Sequence, residues 1–192
     1  MQLRRVTDSA ELQKVHAEFL KQRGERFEQM GIANVFAEPY FQRFFKSLAT
    51  AGFGQPRPAL CFHALYSGDE IVATCCGSFS GAHYSQYINS TASGPAAKFS
   101  LMGILVGELM DELTEAGITG FDMGTGDFDY KTDWTAPTEL YNRLIAVSPR
   151  GHIAAFALGR REALKRFIKQ NARLWGFAKQ VRLTLYKLMQ RK

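Results

Sequence analysis

The chain has 192 residues, 46% of them hydrophobic and 22% charged, and a formal net charge of +6 at pH 7. That length supports one well-buried core, and no apolar run approaches the roughly 20 residues a membrane-crossing helix needs. Met1-Gln2-Leu3-Arg4-Arg5 leads into a polar segment without the apolar stretch of an export signal, so the expected compartment is the cytoplasm, with the inner face of the membrane as a peripheral site.

Residues 2–7 read as a short strand, and Asp8 or Ser9 then caps a helix with Leu12, Val15, Phe19 and Leu20 on one side, expected to last to about Met30. A second helix starts near Glu38-Pro39 and carries an apolar stripe of Tyr40, Phe41, Phe44, Phe45 and Leu48. Three β-rich runs follow at residues 59–66, 70–79 and 82–89, separated by Ser67-Gly68-Asp69 and Ser80-Gly81, which predicts antiparallel hairpins. After a small-residue loop, Leu101, Ile104, Leu105, Leu109, Met110 and Leu113 recur at helical spacing up to Glu115-Ala116-Gly117. Strands are expected at residues 118–123 and 140–147, and helix from His152 onward, with breaks at Gly159 and Gly176. The order predicts an α+β domain with a mixed, mostly antiparallel sheet over residues 1–151, and a basic amphipathic helical extension over 152–192, packed on the domain.

Cys61, Cys75 and Cys76 lie in apolar runs and read as buried free thiols; with the four histidines scattered, no metal site is expected. The charge is uneven. Residues 160–192 hold eleven Lys/Arg against one acid, net +10, while residues 1–159 are net −4. Such a tail suits RNA or an anionic membrane surface, or equally a solvated face on a core-packed helix; its apolar residues, Leu164, Phe167, Trp175 and Leu185 among them, favour an amphipathic helix over a nucleic-acid arm.

Two segments carry candidate chemistry. The loop Thr91-Ala92-Ser93-Gly94-Pro95-Ala96-Ala97-Lys98 precedes a helix whose N-terminus exposes backbone N–H groups and a positive dipole end, so it suits an anion; Lys98 and Ser100 add side-chain donors. The alternative is a plain polar connection. The second segment, Phe121-Asp122-Met123-Gly124-Thr125-Gly126-Asp127-Phe128-Asp129-Tyr130-Lys131-Thr132-Asp133-Trp134, packs a strand end, a glycine-permitted turn and a polar aromatic cluster together. Asp122 faces opposite to Phe121, and Asp127 and Asp129 suit helix caps. Tyr130 is able to donate a proton, Lys131 to hold an anion, and Trp134 reads as packing. Of Tyr84 and Tyr87, which face opposite ways, one lines a pocket; spacing leaves open which.

These motifs in this order resemble the GNAT-type acyltransferases, most closely the branch termed BioF2-like or CelD-like (cellulose biosynthesis), and more distantly the Fem-type peptidyltransferases that use aminoacyl-tRNA. The similarity spans roughly residues 10–148. It implies an acetyl-CoA or other acyl-CoA co-substrate with its pyrophosphate on Thr91, Ser93, Gly94, Ala96, Ala97, Lys98 and Ser100. It also implies transfer to a small-molecule amine or peptide acceptor, with Tyr130 as acid, Tyr87 or Asp127 orienting the amine, and Lys131 and Asp122 on the substrate. The loop departs from the GNAT pattern by lacking its leading Gln or Arg, and Pro95 removes a backbone donor. Members of this branch often carry two such domains and this chain matches the C-terminal one, which implies a homodimer or a lost partner domain.

Overall fold

The computed structural model describes residues 1–126, 129–141 and 143–189. It divides into two compact units, Met1–Glu28 with Ala33–Thr135, and Gln29–Ile32 with Ala136–Lys192.

The first unit is a five-stranded sheet in the order β1 (Gln2–Arg5), β2 (Cys61–Ser67), β3 (Glu70–Ser80), β4 (His83–Thr91), β5 (Gly120–Asp122). The first four strands are antiparallel, and β5 joins β4 in parallel. Glycine makes both hairpins possible: Gly68 and Gly81 sit at φ 62° and 59°, where a Cβ is strained.

Alternation along β2 sends Phe62, Ala64 and Tyr66 to one face and Cys61, His63 and Leu65 to the other. The first face is covered by α1 (Ser9–Met30) and α2 (Pro39–Ala51) through Leu12, Val15, Phe45 and Ala49. The second is covered by α3 (Leu101–Glu115) through Leu105, Val106, Leu109 and Leu113. The helix boundaries follow from local chemistry. Asp8 Oδ1 accepts from the N–H groups of Ala10 and Glu11 at 2.8 and 2.9 Å and starts α1. Gly117 at φ 70° ends α3, with the Ile118 N–H donating back to the Leu113 carbonyl at 2.9 Å and Ile118 joining the core. The three cysteines are buried free thiols, as expected.

Two expectations fail. Among the described residues of 136–147 no strand forms; nearly all are exposed, and the pleated, half-buried surface that rewards β-branched residues is missing there. The helical breaks fall elsewhere as well. α5 (Pro149–Gln170) runs through Gly159, and α6 (Ala172–Met189) through Gly176. The interruption is at Asn171, whose Oδ1 accepts from the N–H groups of Arg173 and Leu174 at 3.1 and 3.2 Å. A mid-helix glycine costs only about 1 kcal/mol, which good helix formers on both sides absorb, whereas a capping side chain actively starts a new helix.

No helix among the described residues is long and apolar enough to cross a membrane, and none of their His, Cys, Asp and Glu side chains cluster in a metal-holding group.

Candidate functional site

The site forms where β4 outruns β5. Pairing between the two stops at Ser85↔Asp122, yet β4 continues to Thr91 still paired with β3, so β5 no longer covers its edge from Gln86 onward. At the point of parting, Gly124 has φ 73°, and a Cβ there would meet the Gln86 carbonyl oxygen at 2.8 Å. Only glycine lets the chain leave β5 so close to β4.

On its other side β4 carries a bulge. Gln86 pairs with Gly77 and Ile88 with Cys76, leaving Tyr87 as the inserted residue. The insertion re-aims the strand. Tyr84 and Gln86 are buried on the α3 side; beyond the bulge Ile88 packs on the α1–α2 side and Asn89 returns to the α3 side, where its amide donates to the Tyr130 hydroxyl at 3.3 Å. Tyr87 itself is 61% exposed and accepts a hydrogen bond from the Ser78 hydroxyl at 2.9 Å. Of the two tyrosines whose facing was open, Tyr84 is core and Tyr87 faces outward.

Tyr130 lies on α4 (Asp129–Thr132), half-buried against the core. Burial raises its phenol above the ordinary tyrosine value, helped by the nearby Cys75 and opposed by the Asn89 hydrogen bond, so it holds its proton at neutral pH. Lys131 donates to the carbonyls of Gly124 and Thr125 at 3.0 and 3.3 Å, and Asp122 Oδ1 accepts from the Gly124 N–H at 2.8 Å. Both side chains therefore brace the turn. Burial lowers the Lys131 ammonium somewhat. Asp127 lies outside the described residues. Trp134 packs over α3, where a Cβ on Gly107 would meet its ring at 3.3 Å.

At the end of β4 the chain passes Thr91 and Ser93 to Gly94 at φ 109°, with open space around its Cβ position; Pro95–Lys98 form one 3-10 turn containing Ala96 and Ala97. The Lys98 ammonium lies 5.0 Å from the Phe99 ring centre. Ser100 is the N-cap residue of α3, but its hydroxyl makes no cap hydrogen bond. Loop and helix thus present backbone N–H groups beside the parted edge of β4.

The sequence did not reveal what anchors this corner. Inside the sheet, Thr74 and Ser90 hydroxyls lie 2.7 Å apart, Ser90 donates to Gln22 Oε1 at 2.7 Å, and Gln22 Nε2 donates to the Ile71 carbonyl at 2.9 Å. Because the Ser90 proton goes to Gln22, Thr74 is the donor to Ser90. Farther along α1, Glu25 accepts from the Ser93 hydroxyl. Two side chains of α1 are thereby pinned to the end of β4. No single-strand pattern announces a contact between residues so far apart in sequence.

One sequence match decides the family: a family model described as an acetyltransferase (GNAT) domain covers residues 1–132. The chain belongs to the GNAT acetyltransferase family. Solved structures share the GNAT fold at low identity. A probable acetyltransferase is 13% identical with a TM-score of 0.51, covering 77% of this chain and 99% of its own. A Clostridium acetobutylicum protein named as an acetyltransferase and solved with acetyl-CoA is 14% identical with a TM-score of 0.51, covering 76% and 96%. YycN of Bacillus subtilis, also named as an acetyltransferase, is 12% identical with a TM-score of 0.52, covering 77% and 100%. No curated protein matches the chain. A separate depression of about 260 Å³ lies at the β1 edge, lined by Arg5 and Gly52–Pro56, and Arg5 already donates there to the carbonyls of Gln55 and Pro56.

Proposed function

We propose that this GNAT domain is an acyl-CoA-dependent N-acyltransferase, moving an acyl group from a CoA thioester to an amine. The parting of β4 from β5 carries the proposal: it leaves a strand edge, bulged at Tyr87, that runs straight to a small-residue loop and the N-terminus of α3. An extended pantetheine arm suits the edge, and a pyrophosphate suits the loop, with Gly94 allowing close approach and Lys98 and Ser100 as donors.

The amine nitrogen attacks the thioester carbonyl carbon and gives up one proton to water, the C–S bond breaks, and the departing thiolate takes a proton. Tyr130, kept protonated by burial and oriented by Asn89, is the proton donor. Tyr87, at the bulge, or Asp127 orients the amine. Holding amine and thioester together is itself worth on the order of 7 kcal/mol or more, so a strong base is not a prerequisite. Within the family, the Phe121–Trp134 segment supports membership of the BioF2-like, CelD-like branch. The direct test is thermal shift with acetyl-CoA followed by an assay of thiol release over a panel of amines; absence of both sinks the proposal.

A second role is favoured by the other unit. α5 and α6 contain no buried residue, and they set exposed Phe156, Phe167, Phe177 and Leu185 among the basic residues of the tail. Such helices suit an anionic membrane surface. Sedimentation of the protein with phosphatidylserine vesicles but not phosphatidylcholine vesicles is the expected result; binding to neither, or to RNA alone, contradicts it.

A further inference from the structure

The pinned stretch of α1 carries a cation that the acyl transfer above does not use. Gln22 is bonded to Ser90 and Glu25 to Ser93, so the stretch of α1 that carries Arg23 reaches the end of β4, and Arg23 is within electrostatic reach of Tyr130. Its guanidinium carbon is 5.1 Å from the Phe27 ring centre and 5.7 Å from that of Phe36, and the two rings stack 6.0 Å apart. Arg23 Nε is buried and has no hydrogen-bond partner among the described residues, nor does any carboxylate among them lie within ion-pair distance of the guanidinium.

Arg26, three residues on and so on the same side of the helix, adds a like charge. Burial and then Arg26 hold the Arg23 guanidinium below its usual value. A partly buried cation near another cation, with no carboxylate of the described residues at ion-pair distance, is unfavourable by itself; aromatic faces compensate only in part. An arriving anion relieves both costs at once.

We propose that Arg23, backed by Arg26, binds the carboxylate of the acceptor, so that the amines this domain acylates are amino acids or peptides with a free carboxylate. This rests on the N-acyltransferase function proposed above. Position assigns the anion to the acceptor and not to CoA: Arg23 lies within electrostatic reach of the proton donor Tyr130, and its guanidinium fork matches a planar carboxylate through two parallel hydrogen bonds.

The test compares wild type, Arg23→Gln and Arg23→Lys in thiol release from acetyl-CoA with amino acids and with their carboxamides, beside equilibrium binding of acetyl-CoA alone. Wild type is expected to prefer acids over matching amides by about tenfold or more in kcat/KM, the scale of a charge-assisted hydrogen bond. Arg23→Gln raises KM for the acids, removes that preference and leaves acetyl-CoA affinity unchanged, with Arg23→Lys intermediate. Equal use of acids and amides by wild type overturns the proposal, as does an unchanged preference in either folded variant. Weakened acetyl-CoA binding with the acid preference intact assigns the anion to CoA and also overturns it.

If no amine is acylated, saturation-transfer NMR with free amino acids decides the subsite on its own: a signal in wild type that Arg23→Gln loses supports it, and no signal in wild type overturns it. A protein that binds amino acids through Arg23 but does not bind acetyl-CoA keeps the subsite and sinks the acyltransferase.

Discussion

Asn89 donates its side-chain amide to the Tyr130 hydroxyl at 3.3 Å, joining β4 beyond its bulge to the short helix that follows β5. The bond holds the phenol at the parted strand edge. Tyr130→Phe is expected to fold and bind acyl-CoA but to lose roughly a hundredfold or more in kcat, as removal of a general acid does. The pH profile gives a sharper check. A donor must be protonated, and burial raises this phenol above its ordinary value near 10. Loss of the Tyr130 proton should therefore add an alkaline limb above about pH 10 to the wild-type profile, which Tyr130→Phe lacks.

His63 of β2 and Glu112 of α3 form an ion pair across the sheet–helix interface, Nε2 to Oε1 at 3.4 Å, without the alignment of a good hydrogen bond. Burial disfavours the imidazolium, but Cys61 and Glu112 outweigh it and hold the His63 pKa up to about 9, while His63 lowers the Glu112 carboxyl. A raised histidine stabilises fully below its unfolded value of 6.5 and stops doing so as pH rises through about 9. The stability gap between wild type and Glu112→Gln should thus be largest near pH 6 and close by pH 9 to 10. With Glu112 39% exposed, water screens the pair, and a gap of order 1 kcal/mol is expected. Denaturation at several pH values measures it; a gap constant across the range contradicts the pairing.

Ser90 is both acceptor from Thr74 and donor to Gln22 inside the sheet. Ser90→Ala leaves two buried polar groups unpaired and should cost about 1–3 kcal/mol in urea unfolding, out of proportion to one lost hydroxyl. A cost below about 0.5 kcal/mol, the range of neutral surface changes, would show that the network carries no stability.

Two glycines at the site separate packing from binding. A Cβ on Gly124 would sit 2.8 Å from the Gln86 carbonyl with φ at 73°, so Gly124→Ala is expected to lower Tm and displace β5 from β4. Gly94, at φ 109°, has open space around it. Gly94→Leu should therefore cost only backbone strain of about 1–3 kcal/mol while blocking close approach of a phosphate, so acetyl-CoA no longer raises Tm.

What was legible in the sequence was local. Asp8 before the Leu12–Val15–Phe19 periodicity, Pro39 at the start of α2, and Gly68, Gly81 and Gly117 at positive φ each fix an element by nearest-neighbour chemistry, and all were readable. The Thr91–Lys98 loop and the Phe121–Trp134 segment were readable for the same reason. Long-range features were not. The bulge at Tyr87 exists because two strands disagree by one residue, and Gln22 reaches Ser90 only once α1 lies across the sheet. Residues 140–147 have strand-like composition, but composition does not supply a partner strand. Lys131 and Asp122 carry the polar groups expected of a substrate site, and the fold uses both on the turn that releases β5.

On the proposed function, the parted β4 edge and the Thr91–Ser100 segment form an acyl-CoA site. Isothermal titration of the protein with acetyl-CoA, in parallel with Gly94→Leu, tests it most directly. Saturable one-to-one binding by wild type, lost in a folded Gly94→Leu variant, is the predicted result; no binding by wild type at millimolar acetyl-CoA, or equal binding by both proteins, would contradict the claim.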